Sequence, residues 1–254
     1  MLSSELISAF LTLTFLEIVL GIDNIIFISI LANRFPINER KSLMRIGLLL
    51  AMITKIILLI GVSLLVKMRA PFWVVETTFF SSSISIEALI LFIGGLFLIY
   101  KSTHEIFEKV EAKVAESSIE ELPKKRLLKR NILVQIILID IVFSFDSILT
   151  AVGMTNGIDH AFGVMVSAIV ISIVLMIGFA SRINEFMNKH PSLQILGLSF
   201  LLLIGFMLIA EGAHQSNTLL FGTSIGTIPK GYLYFAIAFS LGVEMINMRV
   251  KKKN

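Results

Sequence analysis

Two apolar segments of the chain carry acidic side chains at the same spacing. Each begins with an acid, has an aspartate six positions later and then a residue with an amide or hydroxyl oxygen: Glu17, Asp23 and Asn24 in the first, Asp140, Asp146 and Ser147 in the second. An ionised carboxylate in hydrocarbon costs about 2.5–3.5 kcal/mol on insertion scales. Four of them facing lipid would cost about 10 kcal/mol or more. We therefore expect them to face a protected interior, where they could hold protons or a cation.

All of these candidate ligands are oxygen donors. Carboxylate, amide and hydroxyl oxygens suit hard cations such as Mg²⁺, Ca²⁺ and Mn²⁺. Neither segment contains histidine and the chain has no cysteine, which argues against a zinc or copper site. The pattern predicts a metal-ion site with Asp23 and Asp146 as principal ligands and the other four residues in support, and no permanently bound cofactor. The structural alternative is that the acids pair with arginine or lysine, or cap helices in protonated form.

One basic residue, Lys55, lies within an apolar span. We interpret it as the counter-charge of the empty acidic site, with snorkelling to the membrane edge as the alternative. Other acids, Glu87, Glu211 and Glu244, lie near the ends of spans, and we expect them to face water or headgroups.

The spacing of the acids also bears on the backbone. Glu17 and Asp23 are six steps apart, which places them about 240° apart around an unbroken helix. Gly21 lies between them, and Ser144 lies at the matching place in the second segment. Glycine weakens a helix and serine competes for backbone hydrogen bonds, so we expect a distorted or broken helix at both places. The residues that would then converge are Asp23, Asn24, Asp146 and Ser147.

The composition indicates a membrane protein. The chain is 56% hydrophobic and 16% charged, with a mean hydropathy of +0.91, whereas soluble domains are about 45–50% apolar and about 25% charged. A membrane-spanning helix needs about 20 mostly apolar residues. Seven segments meet this requirement and predict an all-α polytopic protein that forms a single transmembrane domain over residues 1–254: 7–31, 46–66, 84–100, 131–153, 161–180, 193–211 and 232–248.

Most of the 22 basic residues lie on one side of these spans. They follow the first, third and fifth spans or end the chain, and the exceptions are Lys55, Lys67, Arg69 and Lys230. The positive-inside rule then places the N-terminus outside and the Lys-rich C-terminus in the cytoplasm. Residues 1–6 carry no lysine or arginine, so no cleavable signal peptide is expected. Because the basic residues follow membrane edges, the net charge of +4 does not indicate a nucleic-acid partner.

The similarity of the two halves extends beyond the acids. Residues 95–104 (GLFLIYKSTH) and 205–214 (GFMLIAEGAH) end the third and sixth spans with glycine and histidine in the same register. We expect the glycines of these spans to let helices pack closely. Three spans per repeat would give the halves opposite orientations, as in many secondary transporters. The predicted organisation is two inverted repeats, 7–104 and 131–214, a charged cytoplasmic loop, 101–130, and an extra C-terminal helix, 232–248.

The two acidic motifs resemble those of the TerC family, integral membrane proteins named for tellurium resistance. The segments Ala151-Val152-Gly153 and 230–236 (KGYLYFA) add to the resemblance, which covers essentially the whole chain. The resemblance implies seven spans and a role in metal-ion homeostasis. Several members of the TerC family are associated with manganese export, and the resemblance also implies grouping with transporters of the lysine-exporter type.

Three function classes follow. The leading hypothesis is export of a divalent cation, manganese first, through a bacterial inner (plasma) membrane by alternating access, with proton exchange as one form of coupling. The second is a scaffold without transport that binds stress or secretion proteins through the charged loop and the tail. The third, an intramembrane aspartyl protease, is disfavoured because Gly-Ile precedes Asp23 and Ser-Phe precedes Asp146, not the Gly-x-Gly of that class. We therefore expect no enzyme, and as partners the cation, the bilayer and, in a homo-oligomer, a second copy.

Overall fold

The computed structural model describes residues 4–111, 125–155, 157–158 and 160–251, without the side chains of residues 4, 22, 23, 63, 125–128, 146, 230 and 251. Seven helices are long and apolar enough to cross a membrane, which confirms the predicted all-α polytopic architecture. A short helix, α3, follows the second of them. The helices are α1 (Ser4–Ala32), α2 (Ile37–Ile60), α3 (Val62–Lys67), α4 (Ile86–Glu111), α5 (Lys125–Met154), α6 (Ala161–Lys189), α7 (Pro191–Gln215) and α8 (Lys230–Lys251).

Local chain chemistry separates the helices. Just beyond the end of α1, the Arg40 guanidinium donates hydrogen bonds to the carbonyls of Phe35 and Asn33, at 2.7 and 3.2 Å. Pro36 precedes α2, and Pro191 lies in the first turn of α7, where its missing N–H removes no helical hydrogen bond. These residues lie in the polar segments that separate one span from the next.

The chain divides into two compact units. Unit 1 comprises Met1–Lys67 and Glu120–Phe186, and unit 2 comprises Met68–Ile119 and Met187–Asn254. Unit 1 therefore holds α1, α2, α3, α5 and most of α6, whereas α4, α7 and α8 belong to unit 2. Each unit takes helices from both halves of the chain, so the packing units differ from the repeats predicted over 7–104 and 131–214.

In unit 1, α1 and α5 run antiparallel. Asn24 of α1 binds Asp140 of α5, while the earlier α1 residue Leu13 shares a cavity wall with the later α5 residue Ala151. Helix α2 packs against both. A Cβ added at Gly47 of α2 would lie 3.1 Å from a side chain of α5, so glycine permits this approach.

In unit 2, α4 and α7 also run antiparallel. Ala88 near the start of α4 lies against Gly212 near the end of α7, and Lys109 near the end of α4 bonds Gln194 near the start of α7. The long contact between these two helices forms the centre of the unit, whereas α8 packs on α7 and is mostly exposed.

Two glycines mark the crossing of α4 and α7. A Cβ on Gly95 would lie 2.6 Å from the carbonyl oxygen of Gly205, and a Cβ on Gly205 would lie 2.9 Å from that of Gly95. Gly95 also faces Ile209, and Gly205 faces Ile99. Each glycine therefore contacts the isoleucine that follows the other glycine by four residues. The close packing expected of these glycines is present here.

Inverted repeats require each helix to run opposite to its mate. The pairs α1 with α5 and α4 with α7 meet this requirement within their own units. The superposition of three helices on three stays a prediction.

A four-stranded sheet, which the sequence analysis did not predict, lies at one end of unit 2. Its strands β1 (Pro71–Glu76), β2 (Phe80–Ser85), β3 (Leu219–Leu220) and β4 (Thr223–Ser224) pair antiparallel in chain order. The N–H of Ser83 donates to the carbonyl of Ser216 at 2.7 Å, next to the end of α7. The strands are short and β2 contains three consecutive serines, so the alternation of apolar and polar residues that predicts a strand is weak.

Two expectations about side chains and backbone are corrected. Helices α1 and α5 pass through Gly21 and Ser144 without a break. A glycine costs a helix about 1 kcal/mol, which is less than the several kcal/mol for each backbone group left unpaired in hydrocarbon. Glu87, expected to face water, is 1% exposed, and its carboxylate accepts a hydrogen bond from Arg69 at 2.9 Å.

Candidate cation site

Helices α1 and α5 each carry a stripe of polar and small residues at helical spacing. The stripe comprises Thr14, Glu17, Gly21 and Asn24 on α1, and Asp140, Ser144 and Ser147 on α5. Residues three or four positions apart share one face of a helix, and all seven are buried. The unbroken helices thus bring the acid and the small polar residue of each motif to one face, without the break that we expected.

Glu17 and Lys55 form a buried ion pair. Nζ of Lys55 on α2 lies 2.6 Å from Oε2 of Glu17, and each side chain is 4% exposed. Buried charges are tolerated when they are paired and hydrogen-bonded. The lysine is therefore directed at the acidic segment and does not extend to the membrane edge. This geometry agrees with a counter-charge, a role that stays a prediction.

Asp140 adjoins this pair from α5. Its Oδ1 accepts a hydrogen bond from Nδ2 of Asn24 at 3.2 Å, and the charges of Lys55 and Glu17 act on it. The Ser144 hydroxyl lies beside the same carboxylate. It does not reach hydrogen-bond geometry, and within the described part of the chain neither it nor Oδ2 of Asp140 has a partner. One buried carboxylate oxygen therefore retains capacity to bind a cation.

The structure does not bring the remaining predicted ligands together in one described site. The side chains of Asp23 and Asp146 lie outside the described part of the structure, although both residues belong to continuous helices. The Ser147 hydroxyl donates to the carbonyl of Ser144 at 3.2 Å, within its own helix. Asn24 donates a hydrogen bond to Asp140, and whether it meets Asp146 as expected lies outside the described side chains.

The described side chains supply two carboxylates to the cluster, Glu17 and Asp140. Among all the described residues, no group of three or more histidine, cysteine, aspartate or glutamate side chains is close enough together to hold a metal ion. Asp23 and Asp146, which are adjacent in sequence to Asn24 and Ser147, would be needed to extend this set to four carboxylates.

A small cavity adjoins Glu17, and neither the cavity nor the nearby Thr14 was predicted from the sequence. Its volume is about 10 Å³ and its walls include Leu13, Leu59, Ile148 and Met165, which is the size of about one water molecule. One turn before Glu17, the hydroxyl of Thr14 is buried and has no hydrogen-bond partner among the described residues. The spacing of Thr14 to Glu17 and Asn24 was the signal that could have identified it.

The cluster combines anionic oxygens with one internal cation, the Lys55 ammonium. Two carboxylates and one ammonium are enclosed by three helices, with an amide and two hydroxyls nearby. The Lys55 ammonium lies at hydrogen-bond distance from a carboxylate oxygen, where a bound cation would also be attracted. Glu17 is therefore paired with an internal cation at a place that would also attract an external one.

Comparison with known proteins agrees with this architecture. The model of the integral membrane protein TerC family matches residues 2–254. The chain belongs to the TerC family. This confirms the resemblance inferred from the acidic motifs, and it covers nearly the whole sequence.

Several relatives of this TerC-family protein have similar length. A UPF0053 protein of Haemophilus influenzae is 45% identical over 241 residues, which cover 95% of this chain and 92% of the relative. The UPF0053 inner membrane protein YgdQ of Escherichia coli K12 is 42% identical over 244 residues, covering 96% and 92%. The UPF0053 protein YegH of the same strain is 42% identical over 93% of this chain but only 41% of its own length. No solved structure matches the chain.

Proposed function

We propose that this TerC-family protein is a transporter that exports a divalent metal cation, manganese first, and that it is not an enzyme. Glu17, Asn24, Asp140 and Ser147 would supply oxygen ligands together with Asp23 and Asp146. Lys55 would balance the acidic cluster when no metal is bound. The seven apolar helices and the family membership support an integral membrane protein.

The observation that carries the proposal is the buried Lys55–Glu17–Asp140 cluster. Removing charges from water is costly, and a buried ion pair seldom repays that cost in stability. Ionisable side chains deep in a membrane bundle are therefore associated with ion and proton pathways. Because all the ligand atoms are oxygens, a hard cation fits them better than a soft one.

The test is metal transport by purified protein in liposomes, with a panel of Mn²⁺, Mg²⁺, Ca²⁺ and Zn²⁺. We expect Mn²⁺ flux with the unaltered protein and none with Asp23→Asn or Asp146→Asn. Asparagine keeps the shape and one oxygen but removes the charge that offsets cation dehydration. Glu211→Gln is the matched control, because Glu211 lies outside the cluster, near the end of α7, and should retain flux.

Cells provide the second readout. Expression of the unaltered chain should raise manganese tolerance, and the two aspartate variants should not. If both variants still protect cells and transport Mn²⁺ in liposomes, the paired carboxylates are structural and the proposed site is wrong. A scaffold without transport would show no flux with any variant.

Lys55 should behave differently from the aspartates. If its ammonium replaces the departing metal, Lys55→Met should retain metal longer and slow turnover without weakening binding. Equilibrium Mn²⁺ binding and the rate of release, measured on the same preparation, separate these effects. Weaker binding in Lys55→Met would reject the counter-charge role.

The inner membrane is the proposed location, with the N-terminus outside and the C-terminus in the cytoplasm. The relative YgdQ is named as an inner membrane protein, which supports the location. The distribution of basic residues supports the orientation.

A further inference from the structure

The pairing register of the unpredicted sheet gives it two chemically different faces. In β1 and β2, Trp73 pairs with Ile84 and Val75 with Ser82, whereas Val74 pairs with Ser83 and Glu76 with Ser81. Side chains directly opposite each other project from the same face, and successive residues alternate between faces.

The apolar face can be listed from this register. It comprises Trp73, Val75, Phe80, Ile84 and Leu220, with Ser82 and Thr223 among them. The polar face carries Glu76, Ser81, Ser83 and Ser224, with Val74 and Leu219 among them. The sheet is therefore amphipathic, like a surface helix with one apolar side.

Much of the apolar face is exposed within the described part of the chain, although Ser82 is buried and its hydroxyl bonds that of Thr218. Trp73 is 62% exposed, and Phe80 and Leu220 are 37% and 43% exposed. Phe79 and Phe221 add a contacting pair at the end of the hairpin, with ring centroids 5.8 Å apart. Contiguous apolar surface of this kind in a folded protein marks an interaction site.

The position of the sheet restricts what can cover this face. β2 ends at Ser85 and the membrane-spanning helix α4 begins at Ile86, without a linker. β3 begins within a few residues of the end of α7, another span. The sheet therefore starts at the level where spans leave the hydrocarbon, which is the level preferred by tryptophan and other aromatic side chains in membranes.

A charged residue at the base of the sheet, Arg69, also agrees with a position at the membrane boundary. Arg69, just before β1, pairs with the buried Glu87 but leaves half of its own side chain exposed. Arginine near the end of a span is well placed to meet lipid phosphates.

We propose that the apolar face of this sheet docks on the lipid bilayer that the helices span, with its aromatic side chains inserted at the boundary between headgroups and acyl chains. The polar face then points to water. The sheet acts as an anchor that fixes the ends of α4 and α7 at the membrane surface. This proposal does not depend on metal transport.

Trp73 is the only tryptophan in the chain, so its fluorescence reports on this face without any substitution. In dilute proteoliposomes we expect blue-shifted emission, weak quenching by acrylamide, and strong quenching by lipids brominated near the carbonyl end of the acyl chain. Lipids brominated near the methyl end should quench less.

The matched control is Val74→Trp in a Trp73→Phe background. Val74 adjoins Trp73, is 54% exposed and lies on the polar face. We expect its tryptophan to emit at longer wavelength, to be quenched by acrylamide and to be insensitive to brominated lipid. Circular dichroism and thermal unfolding check that the variant folds.

Two results would overturn the proposal. Trp73 quenched by acrylamide as strongly as the Val74→Trp control would place the apolar face in water. Trp73 shielded from both acrylamide and brominated lipid would mean that protein covers it, either a second copy or another chain.

Discussion

The ion pair between Lys55 and Glu17 predicts a large and asymmetric effect on stability. The two charges are 2.6 Å apart, and at an effective dielectric constant of about 20 such charges attract by about 6 kcal/mol. Desolvation offsets much of this attraction, so the pair itself contributes little net stability. Removing one partner is different, because it leaves the other charge buried and unpaired. Lys55→Met should therefore lower the free energy of unfolding by about 3–5 kcal/mol.

The double variant Lys55→Met/Glu17→Leu separates these contributions. Both charges are then absent, and we expect it to regain most of the loss, or to exceed the stability of the unaltered chain. The exposed pair Lys41–Glu185 is the control: its charged atoms are 3.8 Å apart and its side chains are 65% and 64% exposed. Lys41→Met should cost at most about 1 kcal/mol.

The measurement is reversible unfolding in mixed micelles by increasing the fraction of denaturing detergent, followed by circular dichroism. A Lys55→Met protein as stable as Lys41→Met would refute the buried pair. A double variant no more stable than Lys55→Met alone would show that Lys55 stabilises the fold by packing, not by charge.

Three further predictions concern packing, a second ion pair and topology. Gly95→Ala should destabilise unit 2 by about 1–3 kcal/mol through overpacking, because the added Cβ would lie 2.6 Å from a backbone oxygen. The control is Gly178→Ala, whose added Cβ would have no neighbour within 4 Å. It should be neutral or stabilising in the same unfolding assay. Arg69→Gln should lower the melting temperature by leaving the buried Glu87 carboxylate without its guanidinium, and adding Glu87→Gln should restore it; no recovery would contradict the pairing. Reporter fusions in the 101–130 loop and after Asn254 should both report cytoplasm, and an outside signal at either would reverse the topology.

The spans could be predicted because hydrophobic length is a local property. A run of about 20 apolar residues needs no tertiary information to be recognised, and all seven predicted segments correspond to helices. The sheet could not be predicted in the same way. Most of its pairing is the local hairpin of β1 and β2, in which three consecutive serines weaken the apolar alternation. Only two residue pairs join β2 to the distant strand β3, and these depend on tertiary structure.

The acids of the site were recognisable for a similar reason. A carboxylate in an apolar segment is costly wherever it points, so Glu17 and Asp140 required an explanation before any contact was known. Their partners depend on tertiary structure. That Lys55 meets Glu17, and that Asn24 meets Asp140, follows from the packing of α2 and the antiparallel course of α1 and α5. The expectation of a broken helix gave too much weight to glycine and serine and too little to the cost of unpaired backbone in hydrocarbon.

The two antiparallel helix pairs differ in the residues that lie where the helices cross. Where α4 crosses α7, the similar segments 95–104 and 205–214 meet at equivalent positions, and bulky residues at both positions would face each other. Gly95 and Gly205 avoid this and bring α4 and α7 into backbone contact.

In unit 1 the same kind of crossing is occupied by polar side chains. Asn24 and Asp140 fill the space between α1 and α5, and Met176 of α6 packs against Gly21. Lys55 reaches Glu17 of the same cluster from α2. Small residues at one crossing thus create a rigid core, and oxygen-bearing residues at the other create a buried cluster that carries charge.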